Sequence, residues 1–352
     1  MRHLGDITKI DGHNVPLVDV VCGGSPCQDL SVAGKRAGLA GQRSGLFIDQ
    51  IRVIKEMRDE SRKRLCGGGA NVDLRLLQPR FMVWENVPGA FSSNGGEDFR
   101  AVLEETARVV CEDAVIPKPP RGGKWTPSGA ILGDGWSIAW RVHDAQFWGV
   151  PQRRKRIALV ADFGGQSAPE ILFERKGTDG DIKESNKKKK ATTGRDVTCY
   201  SSKGFGGWYE SVICETLRAS GGDYGGGSET LVLGGDGIRR RSPVECERLQ
   251  GYPDGWTDIG DWTDSKGKAH KESDSPRYKA LGNSIALPFW EWMAERICAQ
   301  YDRPVTMASL FDGIGGFPLC FQRNGGVPVW ASEIEEFPIA VTKVRFPEGG
   351  EQ

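Results

Sequence analysis

The sequence has few of the residues that metal sites and membrane spans require. Its 352 residues include four histidines, and none of them forms a zinc-like spacing with one of the nine cysteines. No Cys-x-x-Cys pair occurs, and no apolar stretch approaches the ~20 residues of a membrane helix. The N-terminal residues do not form an apolar signal segment. These absences predict no metal, no membrane partner, and reduced thiols in a cytoplasmic protein.

The sequence also lacks an excess of charge of either sign. It has 47 Lys and Arg residues against 47 Asp and Glu residues, so no global field favours nucleic acid or a membrane surface. Any anion-binding surface must come from local clusters, and basic runs occur at 152–156, 186–190 and 237–241. Such runs are most often solvated loops, and for 186–190 we keep that interpretation open beside phosphate contact.

Short apolar runs alternate with amphipathic stretches along most of the chain. Four runs are typical of buried parallel strands: 17–21, 81–84, 157–161 and 305–310. Helical periodicity marks 44–65 and 97–113. This alternation predicts an α/β fold with a doubly wound, mostly parallel sheet. Residues 136–163 predict two strands around a loop at an antiparallel edge of that sheet.

Two segments depart from this alternation. Residues 114–136 are rich in Pro and Gly and predict a connection without regular structure. Between 163 and 236 Gly, Lys, Ser and Thr dominate. Because the length suggests two domains, we predict a small, loop-rich domain at 163–236 and one larger domain formed by 1–162 together with 237–352.

A glycine-rich turn lies between two predicted strands near the C-terminus. "LFDGIGGF" (310–317) follows the run at 305–310, and Glu333 comes after the next strand, near the ~20-residue spacing of a ribose-binding acid. Backbone N–H groups of such a turn can approach a ligand closely. The unit predicts a nucleoside-cofactor site rather than a tight structural turn.

The position of this unit is unusual. In doubly wound folds it normally opens the sheet, whereas here it lies at the far end of the chain. Joining residue 352 to Met1 in thought would restore the usual order. We therefore predict a circular permutation, since termini that lie close together at a surface tolerate such re-cutting.

A second unusual loop surrounds Cys27. The apolar run at 17–21 ends in "CGGSPCQDLS" (22–31), which holds Cys27 between a proline and a glutamine at the end of a strand. From these residues alone Cys27 could be a nucleophile, a metal ligand or a buried structural thiol. A free cysteine is most often a buried structural thiol, so the loop by itself leaves these alternatives open.

Taken together, these motifs resemble the DNA (cytosine-5)-methyltransferases, in rotated order. "GGSPCQDLS" resembles their nucleophile loop, "WENVPG" their catalytic-acid strand and "PQRRKRIALV" their basic motif. "SPVECERLQGYPD" and "RYKALGNSIALP" resemble the last two motifs, and "LFDGIGGF" with "ASEIE" the first two. The resemblance spans nearly the whole chain except 163–236. It implies a class I S-adenosylmethionine-dependent methyltransferase fold in which 163–236 is the target-recognition domain.

The resemblance implies a covalent mechanism. The Cys27 thiolate would add to carbon 6 of cytosine and so activate carbon 5, with Arg154 and Arg156 supplying positive charge. Glu85 would share a proton with N3 of the base, which requires a site of low dielectric, and Asn86 would orient Glu85 or read the base edge. The target cytosine must first be flipped out of the duplex.

The remaining site residues also follow from the resemblance. S-adenosylmethionine would be bound by residues of the glycine-rich turn and of four other segments: Phe311, Asp312, Gly313, Gly315, Glu333, Ile334, Asp6, Ile7, Leu46, Asn283 and Ser284. DNA would be contacted by Gln28, Ser31, Thr216 and Arg153. The implied partner is double-stranded DNA with a short recognition site. A monomeric enzyme of a bacterial or phage restriction-modification system is expected, acting with a cognate endonuclease in the cytoplasm or nucleoid.

Three alternatives remain open. A tRNA cytosine-5 methyltransferase would keep the fold and change the substrate. An NAD-dependent dehydrogenase could use the same glycine-rich unit but would leave Cys27 and Glu85 unexplained. A DNA-binding relative without catalysis would not need the nucleophile and the acid together.

Overall fold

The computed structural model describes residues 1–25, 45–66, 72–119, 124–173, 199–202, 208–211, 213–217, 231–234 and 237–348. In chain order the strands are β1 (Arg2–His3), β2 (Val20–Gly23), β3 (Phe81–Asn86), β4 (Ser128–Leu132), β5 (Ser137–Asp144), β6 (Lys155–Asp162), β7 (Cys199–Ser202), β8 (Trp208–Ser211), β9 (Leu231–Gly234), β10 (Gly237–Arg240), β11 (Trp262–Thr263), β12 (Ala269–His270), β13 (Thr306–Leu310) and β14 (Val327–Ser332). The helices are α1 (Gly45–Cys66), α2 (Glu97–Ala107), α3 (Ala168–Leu172), α4 (Pro243–Gln250), α5 (Asp274–Asn283), α6 (Leu287–Cys298), α7 (Gly316–Arg323) and α8 (Glu336–Arg345).

Eight strands form one mixed sheet in the order β1-β14-β13-β2-β3-β6-β5-β4. The first five are parallel, whereas β6 runs antiparallel to both of its neighbours, and β4 runs antiparallel to β5. Helices cover both faces, as the alternation of short apolar runs and amphipathic stretches predicts. The predicted α/β fold with a doubly wound, mostly parallel sheet is confirmed.

Alternate residues of the central strands enter two separate cores. In β2, Val20 and Cys22 pack beneath α3 to α8, while Val21 packs on the other face beneath α1 and α2. β3, β6 and β13 divide in the same way, because successive side chains of a strand point to opposite faces. Strands buried on both faces read as unbroken apolar runs, which is why the sequence locates them.

Three local expectations are wrong. The segment 114–136 contains a strand, β4, which forms the outer edge of the sheet, so β5 and β6 lie inside the sheet and not at its edge. A Cβ on Gly129 would lie 2.2 Å from the ring of Trp140, so glycine is needed there for packing rather than for a loop. The second helix also ends at Ala107, earlier than the predicted 113.

A second, four-stranded antiparallel sheet has the order β10-β9-β7-β8. The segment Ile213 to Leu217 joins it to the larger domain, where Gln152 and Cys214 form a parallel bridge. The division at 163 and 236 stays a prediction. Helix α3 packs in the core of the large sheet, and β10 continues the small sheet to Arg240.

The carboxyl ends of β13, β14, β2 and β3 lie at one edge of the large sheet, as parallel strands require. β1 pairs with β14, and the Met1 amino group donates to the Phe346 carbonyl at 3.0 Å. The circular permutation itself stays a prediction. Within the described residues no helix has the length and hydropathy to cross a bilayer, and no three acidic, His or Cys side chains are grouped like metal ligands.

Candidate active site

An ion pair stands at the carboxyl edge of the central strands. Glu85 lies near the end of β3, and Arg156 lies on the neighbouring antiparallel strand β6. Arg156 Nε is 2.7 Å from Glu85 Oε1, and both side chains are about five-sixths buried, at 16% and 15% exposed. The pair fixes one carboxylate oxygen. The other, Oε2, would lie 3.0 Å from a Cβ on Gly24, so it is directed at the segment that leads to Cys27.

Ser25 is the last described residue before Cys27, and two side chains hold it. The Trp84 indole donates to Ser25 Oγ at 3.0 Å, and the Asn86 amide donates to the Ser25 carbonyl at 3.1 Å. Asn86 Oδ1 in turn accepts from Val87 N at 2.8 Å. Both polar groups of the buried Asn86 side chain are thus hydrogen-bonded to backbone. Of its two predicted roles, this favours orienting Glu85 over reading the base edge. Asn86 thus holds β3 against the chain segment that leads to Cys27.

Replacement of Asn86 by alanine tests this contact. We expect the rate of methyl transfer to fall by up to about a hundredfold, because a displacement of about 1 Å in reacting groups has that cost. The free energy of unfolding should fall by about 1–3 kcal/mol, since the buried Ser25 carbonyl loses its partner. Initial rates and urea unfolding measure the two effects. Asn14→Ala, which removes an exposed amide bonded to Asp11, is the control. An unchanged rate in Asn86→Ala would contradict the assignment.

Arg154 has a different environment from Arg156. It precedes β6 and is almost completely buried, and its guanidinium donates to the Leu217 and Gly282 carbonyls at 3.1 Å each, and to the Ser284 carbonyl. Burial, with the nearby Arg156 charge, lowers the pKa of Arg154 to about 9, so it stays charged at neutral pH. Arg154 therefore connects the segment 213–217 to the Gly-Asn-Ser motif at 282–284.

Hydrogen bonds join the basic motif to the segment 213–217. Thr216 Oγ1 donates to the Arg153 carbonyl at 2.5 Å, and Arg153 N donates to the Cys214 carbonyl at 2.8 Å. The Arg153 guanidinium is half exposed and lies 3.8 Å from Glu215. The structure thus brings Arg153 and Thr216 together. Their contact with DNA stays a prediction, and Cys27, Gln28 and Ser31 lie outside the described residues.

The glycine-rich turn lies against Glu333. Phe311 has a φ of 54°, a left-handed conformation that is uncommon for a side chain of its size. The turn then brings Gly313 N to Glu333 Oε2 at 2.7 Å, while Glu333 Oε1 accepts from the next two backbone N–H groups. A Cβ on Gly313 would meet no heavy atom within 4 Å, whereas one on Gly315 would lie 2.6 Å from the Phe346 ring. The lack of a side chain at Gly313 leaves open space beside the turn, whereas at Gly315 it makes room for the Phe346 ring.

Other predicted cofactor residues gather near the same turn. Ser332 Oγ donates to the Gly5 carbonyl at 2.6 Å, which brings the Asp6 turn beside the end of β14. Asp6 caps this turn by accepting from Thr8 N at 3.0 Å. The further members differ in burial: Ile7 and Ser284 are buried, Leu46 is partly buried, and Asn283 and Ile334 are exposed.

Two residues near the site are not singled out by the sequence pattern. Trp84 holds Ser25, and Tyr252 shares a hydrogen bond of 2.5 Å with the Ser284 hydroxyl. A Cβ on Gly316 would lie 2.6 Å from the Tyr252 oxygen, so the second glycine of the pair is needed where α7 meets this tyrosine. Only the flanking motifs "WENVPG" and "QGYPD" could have pointed to them.

Comparison with known proteins agrees with the motifs. Residues 2–109 match the family model described as C-5 cytosine-specific DNA methylase. A DNA N-6-adenine-methyltransferase of Escherichia phage P1 is 27% identical over 84% of this chain and 55% of its own length. The type II methyltransferase M.BsuFI of Bacillus subtilis is 27% identical over 81% of this chain and 58% of its own length.

The chain thus spans little more than half the length of these two relatives, although it spans more of others. M.HhaI of Haemophilus parahaemolyticus is 24% identical over 83% of this chain and 80% of its own length. Among solved structures, S. pombe Dnmt2 methyltransferase is 14% identical with a TM-score of 0.46, covering 84% of each chain. The resemblance predicted from the motifs is confirmed: residues 2–109 match the C-5 cytosine-specific DNA methylase model, and type II methyltransferases are among the relatives.

Proposed function

We propose that this chain methylates carbon 5 of cytosine in double-stranded DNA, with S-adenosylmethionine as methyl donor. The observation that carries the proposal is the Glu85–Arg156 pair beside Ser25, which leads to Cys27. Two residues of chain span at most about 7 Å, so Cys27 can reach the space above Glu85 Oε2. A nucleophile and an acid around one pocket are what activation of a pyrimidine ring requires.

In the proposed reaction the Cys27 thiolate bonds to carbon 6 of an extruded cytosine. The ring electrons move toward carbon 5 and N3, and Glu85 shares a proton with N3 to relieve the charge that develops there. Arg156 keeps the carboxyl group in position through Oε1, and Asn86 keeps the two segments in register. After methyl transfer, a base removes the carbon 5 proton, the carbon–sulfur bond breaks, and the thiolate is restored.

The residues at the glycine-rich turn fit a cationic nucleoside cofactor. Three carboxyl groups, those of Asp6, Asp312 and Glu333, lie at this edge, and the open face of Gly313 admits a ligand close to backbone. When bound there, S-adenosylmethionine would supply the methyl group on its sulfonium. Glu333 would accept from ribose hydroxyls, and Asp6 would meet the adenine amino group.

The wider role follows from the relatives. Type II methyltransferases are among them, so we propose DNA modification in a bacterial or phage restriction-modification system. The segment 163–236 would read a short site, while Arg153 and Thr216 contact phosphates beside the flipped base. A tRNA substrate and N6 methylation of adenine, the activity named for the phage P1 relative, are the competing outcomes.

One assay separates these outcomes. The protein is incubated with methyl-labelled S-adenosylmethionine and either plasmid DNA or tRNA, and the labelled base is identified after hydrolysis. We expect label in DNA as 5-methylcytosine, and bisulfite sequencing would then give the recognised bases. Label only in tRNA, or label in N6-methyladenine, would overturn the proposal. A melting temperature raised by NADH and not by S-adenosylmethionine would favour a dehydrogenase instead.

A further inference from the structure

The carboxyl group of Asp312 is buried, and among the described residues it has no ion-pair partner. It lies between Phe311 and Gly313, whose φ angles of 54° and 56° turn the chain back on itself. Only 6% of Asp312 is exposed, and neither carboxyl oxygen has a hydrogen bond of good geometry, although the Ser309 hydroxyl lies near enough to act on the group. Its backbone is fixed, because Asp312 N donates to the Ser332 carbonyl at 3.1 Å. An unpaired buried charge is costly, so this carboxyl group requires either a proton or a cation.

No neighbour of Asp312 among the described residues supplies the cation. The groups that interact electrostatically with Asp312 come from every element packed around the turn. They are Ser309 of β13, Cys22 of β2, Glu333 after β14 and Tyr252 after α4. Cys320 of α7 faces Cys22 and Tyr252. The Arg154 charge also faces Tyr252, but its guanidinium is bonded to the Leu217, Gly282 and Ser284 carbonyls, and the other groups named here are neutral or acidic. Burial raises the pKa of Asp312 to about 8, the Glu333 charge adds to the shift, and the Ser309 hydroxyl opposes it.

We propose that Asp312 selects a cationic ligand for the cofactor site: its carboxyl group is neutral in the free protein and loses its proton when that ligand binds. The O–H bond breaks, the proton passes to solvent, and the carboxylate pairs with the positive charge beside Gly313. This inference rests on the proposed function. S-adenosylmethionine carries two cations, a sulfonium and an ammonium, and either could be the partner. Its demethylated product, S-adenosylhomocysteine, keeps only the ammonium.

The loss of this proton determines how ligand affinity and protein stability change with pH. Because the free protein holds a proton that the complex does not, binding tightens as pH rises towards about 8. Below that pH the affinity should change by about tenfold per pH unit for one proton released. The same proton makes the free protein less stable as pH rises, since the folded state binds it more tightly than the unfolded chain does.

Isothermal titration of the intact protein with S-adenosylmethionine tests the proposal. Titrations at about pH 6.5, and again at about pH 9, in buffers of different ionisation enthalpy count the protons released. We expect about one proton to be released at the lower pH. At the higher pH a sulfonium partner gives almost no release, whereas an ammonium partner gives net proton uptake, because the free ligand's α-amino group has lost its proton there. Asp312→Asn should abolish the release and flatten the pH dependence, while Asp261→Asn, at an exposed acid paired with Lys271, should keep both.

Two further ligands identify the cation. If binding of both S-adenosylmethionine and S-adenosylhomocysteine releases the proton, the ammonium is the partner of Asp312. If only S-adenosylmethionine releases it, the sulfonium is the partner. Release with methylthioadenosine, which has neither charge, would overturn the proposal, as would pH-independent binding of S-adenosylmethionine by the unmodified protein. These wild-type titrations hold even if Asp312→Asn does not fold. Absence of S-adenosylmethionine binding at any pH would instead count against the proposed function.

Discussion

Replacement of Glu85 by glutamine should lower the rate of methyl transfer to DNA by about 10²- to 10⁴-fold, the usual contribution of a positioned acid or base. Glutamine has nearly the same shape, but it cannot share an acidic proton with N3, and its amide replaces the charged partner of Arg156. Single-turnover rates with saturating DNA and S-adenosylmethionine measure the effect. Cofactor affinity should change little, because Glu333 and Gly313 are held by separate contacts.

Two variants make this result specific. Glu105→Gln breaks a surface ion pair of the same length, 2.7 Å to Arg108, on helix α2, and should leave the rate unchanged. Arg156→Gln should slow the reaction as well. The double variant should be hardly slower than Glu85→Gln, since residues that act as a unit are not additive. Additive losses would show that Arg156 does not act through Glu85, and full activity in Glu85→Gln would exclude the acid role.

A DNA duplex carrying 5-fluorocytosine should form a covalent adduct with the protein, and Cys27→Ser should abolish it. Fluorine cannot leave as a proton does, so the carbon–sulfur bond formed by Cys27 persists after methyl transfer. A band of protein joined to DNA that survives denaturing electrophoresis is the readout. Since serine is a far weaker nucleophile than a thiolate, methylation of ordinary DNA should also disappear.

The control is Cys111→Ser, which removes a partly buried free thiol outside the site. It should form the adduct at the wild-type level. The DNA used has sequences that the labelling assay has already shown to be methylated. A negative result therefore cannot be explained by the absence of the recognition site. An adduct that persists in Cys27→Ser would assign the nucleophile to another residue. Its absence in the wild-type protein would remove the covalent mechanism.

Much of the fold is predictable because its central strands are buried on both faces. The run at 81–84 falls within β3, and 157–161 falls within β6, since unbroken apolar sequence leaves few other solutions. β4 is missed because only alternate residues are partly covered, and its glycine looks like loop sequence although a tryptophan ring requires it. An edge strand with half its surface in solvent has a weaker pattern.

The candidate site is predictable in its members more than in their contacts. Glu85 and Arg156 are identified by motif, and the antiparallel register of β3 and β6 brings them together. The alternation of Arg154 and Arg156 suggests equal roles, yet Arg154 bonds carbonyls more than 60 residues away. No local pattern contains that information, because such contacts depend on how distant segments pack.

The carbonyl bonds of Arg154 constrain how hybrid proteins can be made from this chain. A foreign segment inserted in place of 163–236 would carry its own version of Leu217, and the guanidinium would then meet a carbonyl at a different position. The Gly282 and Ser284 carbonyls share that guanidinium, so the misfit would extend to the Gly-Asn-Ser motif. Splice points that retain Cys214 to Leu217 of the recipient avoid this misfit.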